Sequence, residues 1–461
     1  MILFNKLRKA VSTKIALIQG SSLKARSARG SLILATGSFF ERGMGLVRTM
    51  ILARILAPGD FGLMAIVMSV LAVLSSLTDI GVQQSIIRHP EGNKKEYLNI
   101  AWWIQVARAA GLFIAAFLIA PTICRFYGKP ELLNLLRFSF VVVIFSGFTS
   151  PRLYLLDKEF RFVKALCLMQ GSSLFGTVVA IILAFYMRSV WVLVIAQLVQ
   201  TGVQCLLSHI LCPFRPMLKI DREYLKDVLN FGRGMAGLSF LTIISMQTDV
   251  FVMGKLLPSK QVGMYALALS LAQQPMLLFA RTIGRVLLPA FAEKQNDKKA
   301  LCSAVVRILK SILLFGVPLS VLAALGAKTI LTVIYGAQYS VAAIPFAILC
   351  FAMLFYVQAV VLAQVYIGIG VPHLHRRYNI LLASLIVCLI YPGIKLFGLA
   401  GAAVVLLFSH IIAVLMQVIW MNGVIGLRFK DYLSCWVPWA SARPISKQCS
   451  PLVHRPKLCD S

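Results

Sequence analysis

Twelve apolar stretches of about twenty residues, separated by short polar loops, constrain this chain more than any other feature. A helix of that length crosses about 30 Å of hydrocarbon. Hydrocarbon offers no partner to a backbone N–H or C=O, so each stretch must be an α-helix. The strands of a membrane barrel would instead alternate polar and apolar over about ten residues, and these stretches do not. The spans run over 31–56, 61–86, 98–120, 132–150, 162–186, 189–211, 228–254, 262–290, 302–326, 341–369, 378–394 and 397–421. The expected fold is an all-α integral membrane protein with about 12 transmembrane helices. Composition agrees: 59% of the 461 residues are hydrophobic and 13% charged, against about 45–50% and 25% in soluble chains.

The net charge of +30 does not point to nucleic acid, because the basic residues form no single face or domain and recur in the gaps between apolar stretches. Their distribution sets an orientation. Of 46 Lys and Arg, 32 fall in the leader, the tail and alternate loops, and 8 in the opposite loops. That bias places both termini in the cytoplasm. Trp102 and Trp103, Trp191 and Trp420 sit at span ends, where indole favours the headgroup level. Residues 1–30 carry seven basic and no acidic residues but no compact apolar core with a cleavage site, so they read as a cytoplasmic leader. The ten cysteines include no CxxC pair or metal-like spacing and read as small buried hydrophobes.

The chain repeats itself at a shift of 201. Arg54–Ile66 lies on Lys255–Leu267, with Leu56/Leu257, Gly62/Gly263, Ala65/Ala266 and Ser69/Ser270 identical, and the match falls between the first two spans of each six. Six plus six in one orientation predicts two pseudo-symmetric six-helix lobes around a central cavity. The expected division is a leader (1–30), an N-lobe (31–212), a cytoplasmic linker (213–227), a C-lobe (228–422) and a C-terminal tail (423–461).

Charges within spans are costly and must face protein or water. Glu41 and Arg48 are seven residues apart on span one and share a side with Ser38 and Gly45. Arg281 and Arg285 share a face of span eight, where like charges repel unless an anion sits between or opposite them. Under the 201 shift Arg48 falls on Asp249. Arg48, Arg281, Arg285, Glu41 and Arg42 are therefore candidates for lining a cationic cavity, since Arg offers an anion two parallel hydrogen bonds. Internal salt bridges or snorkelling are the competing reading. Arg42 points about 100° from Glu41 and could reach an interface; Arg108 and Arg137 are expected to snorkel. Asp79 and Asp249 read as helix-pairing or capping groups, with ion coupling as the alternative. His373 and His375 read as a solvated loop rather than a metal site. The glycines at 232, 234 and 237, and at 398 and 401, read as packing or hinge positions. The sequence holds no P-loop, GxSxG or HExxH, and no catalytic residue, metal or cofactor is expected.

Leu52-Ala-Arg-Ile-Leu-Ala-Pro-Gly-Asp-Phe-Gly62 resembles the LARxLxPxDFG segment of the polysaccharide and oligosaccharide flippases of the MOP exporter superfamily. Asp79-Ile-Gly, Thr248-Asp249, Arg285–Pro289, Ile334–Gln338 and Phe397–Ala402 look like further stations of that family, in order across residues 31–435. The resemblance implies translocation of undecaprenyl-pyrophosphate-linked oligosaccharide units across the bacterial inner membrane by alternating access. It also implies membrane lipids, a polysaccharide polymerase and chain-length machinery as partners. A multidrug or peptidoglycan-precursor exporter of the same superfamily is the alternative. A membrane-embedded glycan polymerase ranks lower, because it would need carboxylates or histidines on a substantial outer loop. Relatives continue past this point with further apolar helices. Here the segment beginning at Asp431–Ala440 turns polar and Pro/Cys-rich, and a truncated or frameshifted end is the expectation.

Overall fold

The computed structural model describes residues 23–79, 81–159, 161–218, 221–293 and 297–436, with the side chains of 23–35, 38, 157, 162, 233–239, 276–290, 292–293 and 372 outside the described set. Residues 1–22 of the expected leader, and the part of the expected tail beyond residue 436, are also outside it. The described residues form helices and no strand. In chain order these are α1 (Leu23–Ile55), α2 (Pro58–Leu77), α3 (Val82–Arg88), α4 (Lys95–Tyr127), α5 (Leu132–Ser139), α6 (Val141–Phe148), α7 (Leu153–Lys158), α8 (Phe162–Met187) and α9 (Trp191–Leu211). They continue with α10 (Arg222–Leu256), α11 (Ser259–Glu293), α12 (Lys298–Leu325), α13 (Ala327–Tyr335), a 3₁₀ turn (Ala337–Ala342), α14 (Ala343–Gly368), α15 (Pro372–Ile425) and α16 (Phe429–Trp436). Seven segments among the described residues are long and apolar enough to cross a bilayer. Large side chains such as Leu118, Phe315 and Ile344 point outward, as a lipid-facing surface requires.

Every sequence-predicted span falls on helix, with three refinements. The stretch 61–86 ends early as α2, because Gly81 turns left-handed at φ +61° and starts the short helix α3. The stretch 132–150 is two helices meeting at Phe140. Spans 378–394 and 397–421 are the two arms of α15, broken at Gly398 (φ +55°, ψ −130°). The repeat keeps its register in the helix ends. α1 ends at Ile55 and α10 at Leu256, while α2 starts at Pro58 and α11 at Ser259, each pair 201 residues apart. The turn before α2 is built by Pro58 at the first helical position and by the Asp60 carboxylate, which accepts the Ala57 N–H at 3.0 Å.

The chain divides into two compact units, 1–263 and 264–461. In the first, glycines bring helices close. Gly37 lies under Leu166 of α8, and its carbonyl accepts from Gln170 Nε2 at 2.6 Å. Gly147 of α6 faces Ala109 of α4, and Gly254 of α10 faces Ile66 and Tyr127. Packing places α10 in this first unit, against α2 and α4. By the repeat it is the opening helix of the second six. In the second unit α14 packs between α12 and α15. The short α16 folds back onto α12 and α14, with Tyr432 donating to Gln358 Oε1 at 2.8 Å and the Cys435 thiol directed at the Val306 carbonyl at 3.8 Å.

Candidate functional site

The first unit holds an open cavity of about 620 Å³, lined in part by polar side chains, whose wall comes from three helices. Ala72, Ser75 and Ser76 line it from α2, with Asp79 just beyond that helix's end. Arg108 lines it from α4, and Thr242 and Ile243 from α10. The local sequence explains each position. α2 stops at Leu77, and the Asp79 carboxylate accepts the Gly81 N–H at 3.0 Å, a side-chain turn that ends the helix and holds the carboxylate at its rim. Arg108 enters the wall because α4 begins at Lys95, which sets this arginine well inside the helix. The snorkelling expected for Arg108 concerns its depth in a bilayer; within the protein its side chain lines the wall beside α2 and α10. Ser76 returns its hydroxyl to the Val73 carbonyl at 2.7 Å, so its oxygen keeps acceptor capacity toward the cavity.

Behind the wall, Gln105 donates to the Tyr154 hydroxyl at 2.8 Å. Burial pushes the Tyr154 hydroxyl up, and the hydrogen bond from Gln105 opposes that shift. The site thus joins a carboxylate, a guanidinium and three hydroxyls. Such a set can pair with an anion and with sugar hydroxyls, and it lies among helices that are otherwise apolar.

Other candidates take separate places. Arg48 donates to Gln200 Oε1 on α9 at 3.3 Å. The Asp249 side chain is buried, and its carboxylate accepts the Val250 N–H at 2.8 Å. Glu41 and Arg42 are half-buried on α1. Arg137 stacks over Phe117, 4.5 Å from the ring centroid. Arg281 and Arg285 are on α11, and their side chains lie outside the described residues. His375 faces Asn379 at 3.2 Å, and among the described residues no group of His, Cys, Asp and Glu is placed to hold a metal. The second unit holds an apolar cavity of about 280 Å³, bounded by residues such as Gln274, Phe315, Leu319 and Cys350. Sequence reasoning passed over Tyr154 and Gln105, whose residue types carry no signal until α4 and α7 meet.

Residues 51–344 match the family described as polysaccharide biosynthesis protein. The chain is 23% identical over 427 residues to the lipopolysaccharide biosynthesis protein WzxC of Escherichia coli (strain K12), covering 92% of this chain and 87% of that one. It is 25% identical over 325 residues to the succinoglycan biosynthesis transport protein ExoT of Rhizobium meliloti (strain 1021), covering 69% and 63%. Among solved structures it superposes on the lipid II flippase MurJ, inward closed, with a TM-score of 0.74 at 16% identity, over 88% of this chain and 90% of that one. An inward-facing multidrug resistance MATE transporter of the MOP superfamily gives 0.65 at 16% identity, over 87% and 96%. At these identities the structural likenesses establish the fold, that of multi-helix membrane transporters.

Proposed function

The chain belongs to the polysaccharide biosynthesis protein family, and from that premise we propose that it is a flippase for lipid-linked oligosaccharide. Its substrate is an oligosaccharide unit on undecaprenyl pyrophosphate, carried from the cytoplasmic to the periplasmic leaflet of a bacterial inner membrane. Two six-helix lobes alternate access, with both termini in the cytoplasm. The observation that carries this reading is the cavity into which Ser75, Ser76, Asp79, Arg108 and Thr242 bring polar groups within helices built for lipid. A group as polar as a glycosyl pyrophosphate crosses hydrocarbon only where protein replaces its water. Arg108 suits the phosphate oxygens, the hydroxyls and Asp79 suit the sugar, and the lipid tail stays in the bilayer. Arg281 and Arg285 on α11 are proposed as further anion contacts. Polymerase and chain-length proteins are the proposed neighbours, receiving the flipped unit.

The test uses proteoliposomes loaded with a fluorescent undecaprenyl-pyrophosphate oligosaccharide, read by accessibility to an added lectin. Protein-dependent translocation is expected, falling about tenfold or more in Arg108→Ala if the lost charge contact is worth about 1.5–3 kcal/mol. Arg281→Ala/Arg285→Ala is expected to fall as well. Translocation of lipid II, and not of this substrate, by the wild-type chain would replace the reading with that of a peptidoglycan-precursor exporter.

A further inference from the structure

Helix α10 meets the rest of the first unit at three stations, and the two ends differ in chemistry. At its C-terminal end the contacts run to backbone. Lys129 Nζ donates to the carbonyls of Gly254 at 2.7 Å and Leu257 at 3.2 Å, and Lys255 donates to the Phe126 carbonyl. Each lysine therefore caps the C-terminus of the other helix, where a cation is favoured. Phe251 stacks on Phe126 and stands edge-on to Tyr127. Just beyond, Gly62 and Gly263 let the starts of α2 and α11 touch backbone to backbone.

At its N-terminal end the contacts run between side chains. Asp227 Oδ2 accepts from the Tyr97 hydroxyl at 3.3 Å and lies 3.8 Å from His89 Nε2. Tyr224 donates to Glu91 Oε2 at 2.6 Å, and Glu91 pairs with Lys94. The His89 ring stacks on Tyr97 at 4.5 Å, and Tyr224 stands edge-on to Tyr97. Arg88 sits over Phe231, and Lys158 holds the His89 carbonyl at 2.9 Å. Asp227 is 51% exposed and Glu91 42%. Pairs so exposed contribute little and break readily in water. Beneath them Val228 is buried against Tyr97, Leu98 and Leu155, which favours the closed arrangement when nothing is bound. The cavity wall at Thr242 and Ile243 lies between the two ends on the same helix.

We propose that the His89–Glu91–Tyr97 cluster and the Tyr224–Asp227 turn form a latch on α10, with the lysine-capped end as the hinge. Release of the latch lets α10 swing and opens the cavity on the face that bears His89. That face is the cytoplasmic one by the charge count. The purpose of the latch rests on the proposed transport role, but its test reads access alone.

In a chain with its ten cysteines replaced, Ser75→Cys reports from the cavity through its labelling rate with a membrane-impermeant maleimide, in membrane vesicles of both orientations. Tyr97→Phe/Asp227→Asn is expected to raise labelling roughly fivefold from the cytoplasmic side and to leave the other side unchanged. Lys129→Met is expected to raise neither. A second variant carries Glu91→Cys and Tyr224→Cys joined by a cleavable bifunctional maleimide, labelled afterwards at Ser75→Cys with its thiol protected during joining. Joining is expected to suppress labelling, and cleavage to restore it. Unchanged labelling in folded latch variants, or an equal rise in Lys129→Met, would overturn the latch. Labelling that follows these expectations in a protein that moves no lipid-linked glycan would retain the latch and remove the flippase.

Discussion

Single residues carry the backbone contact between the starts of α2 and α11. A Cβ on Gly62 would run into the Ser259 carbonyl, and one on Gly263 into the Pro58 carbonyl, whereas one on Gly59 would reach only the Lys260 nitrogen at 4.0 Å. Neither carbonyl belongs to a flexible side chain, so a methyl forces backbone apart. Gly62→Ala and Gly263→Ala are each expected to destabilise by about 1–3 kcal/mol, read as a fall in Tm in lipid nanodiscs, while Gly59→Ala stays near wild type. Glu91 gives a pH signature at the same scale. Lys94 first, and then the Tyr224 hydroxyl, hold its carboxyl below the usual carboxylate range. A depressed folded value means that its contribution is complete above the unfolded value of about 4.3 and is lost as pH falls through the folded one. The Tm difference between wild type and Glu91→Gln should therefore stay level from about pH 5.5 to 8 and shrink only below about pH 4. A difference that varies across the neutral range would mean another group dominates.

At the scale of elements, breaks decide how many spans the chain makes. α15 is long enough to cross a bilayer twice, and only Gly398, at φ +55° and ψ −130°, divides it. A side chain there is strained by about 1–3 kcal/mol. Gly398→Ala should lower Tm accordingly, and protease should cut between the arms if the strain is relieved by local opening. Much of this level was legible in the sequence. The Pro58 and Asp60 turn, the glycines of the repeat and the Gly398 break all announce themselves through local backbone chemistry. The short helices α3 and α7 were not legible as separate elements, because part of their packing is against each other, far apart in sequence. For the same reason Arg48 could not be assigned to Gln200, 152 residues away, nor Tyr97 to Asp227, 130 residues away. The cavity at Arg108 depends on α2, α4 and α10 meeting, which periodicity within one helix does not show.

At the scale of the whole molecule, the loops that hold the latch and the loops that hold the lysine caps should open on opposite sides of the membrane. α2 and α4 each span once, and the segment between them with the start of α4 carries Arg88, Lys94 and Lys95, whereas the last turn of α4 and the loop after it carry Arg125 and Lys129 with Glu131. The full count, 32 basic residues against 8, favours the first set as cytoplasmic, since short loops rich in Lys and Arg are retained there. Cysteines placed singly at Asn93 and His373 should therefore react with an impermeant maleimide only in inside-out vesicles, and those at Glu131 and Lys328 only in right-side-out vesicles. A reversed pattern would turn the molecule over and make the His89 latch the outer gate, with the lysine-capped end facing the cytoplasm. A mixed pattern, with Asn93 and His373 on different sides, would break the even count of spans between them. The two halves of the repeat would then run in opposite senses through the membrane, and the parallel reading of the 201-residue shift would fail with it.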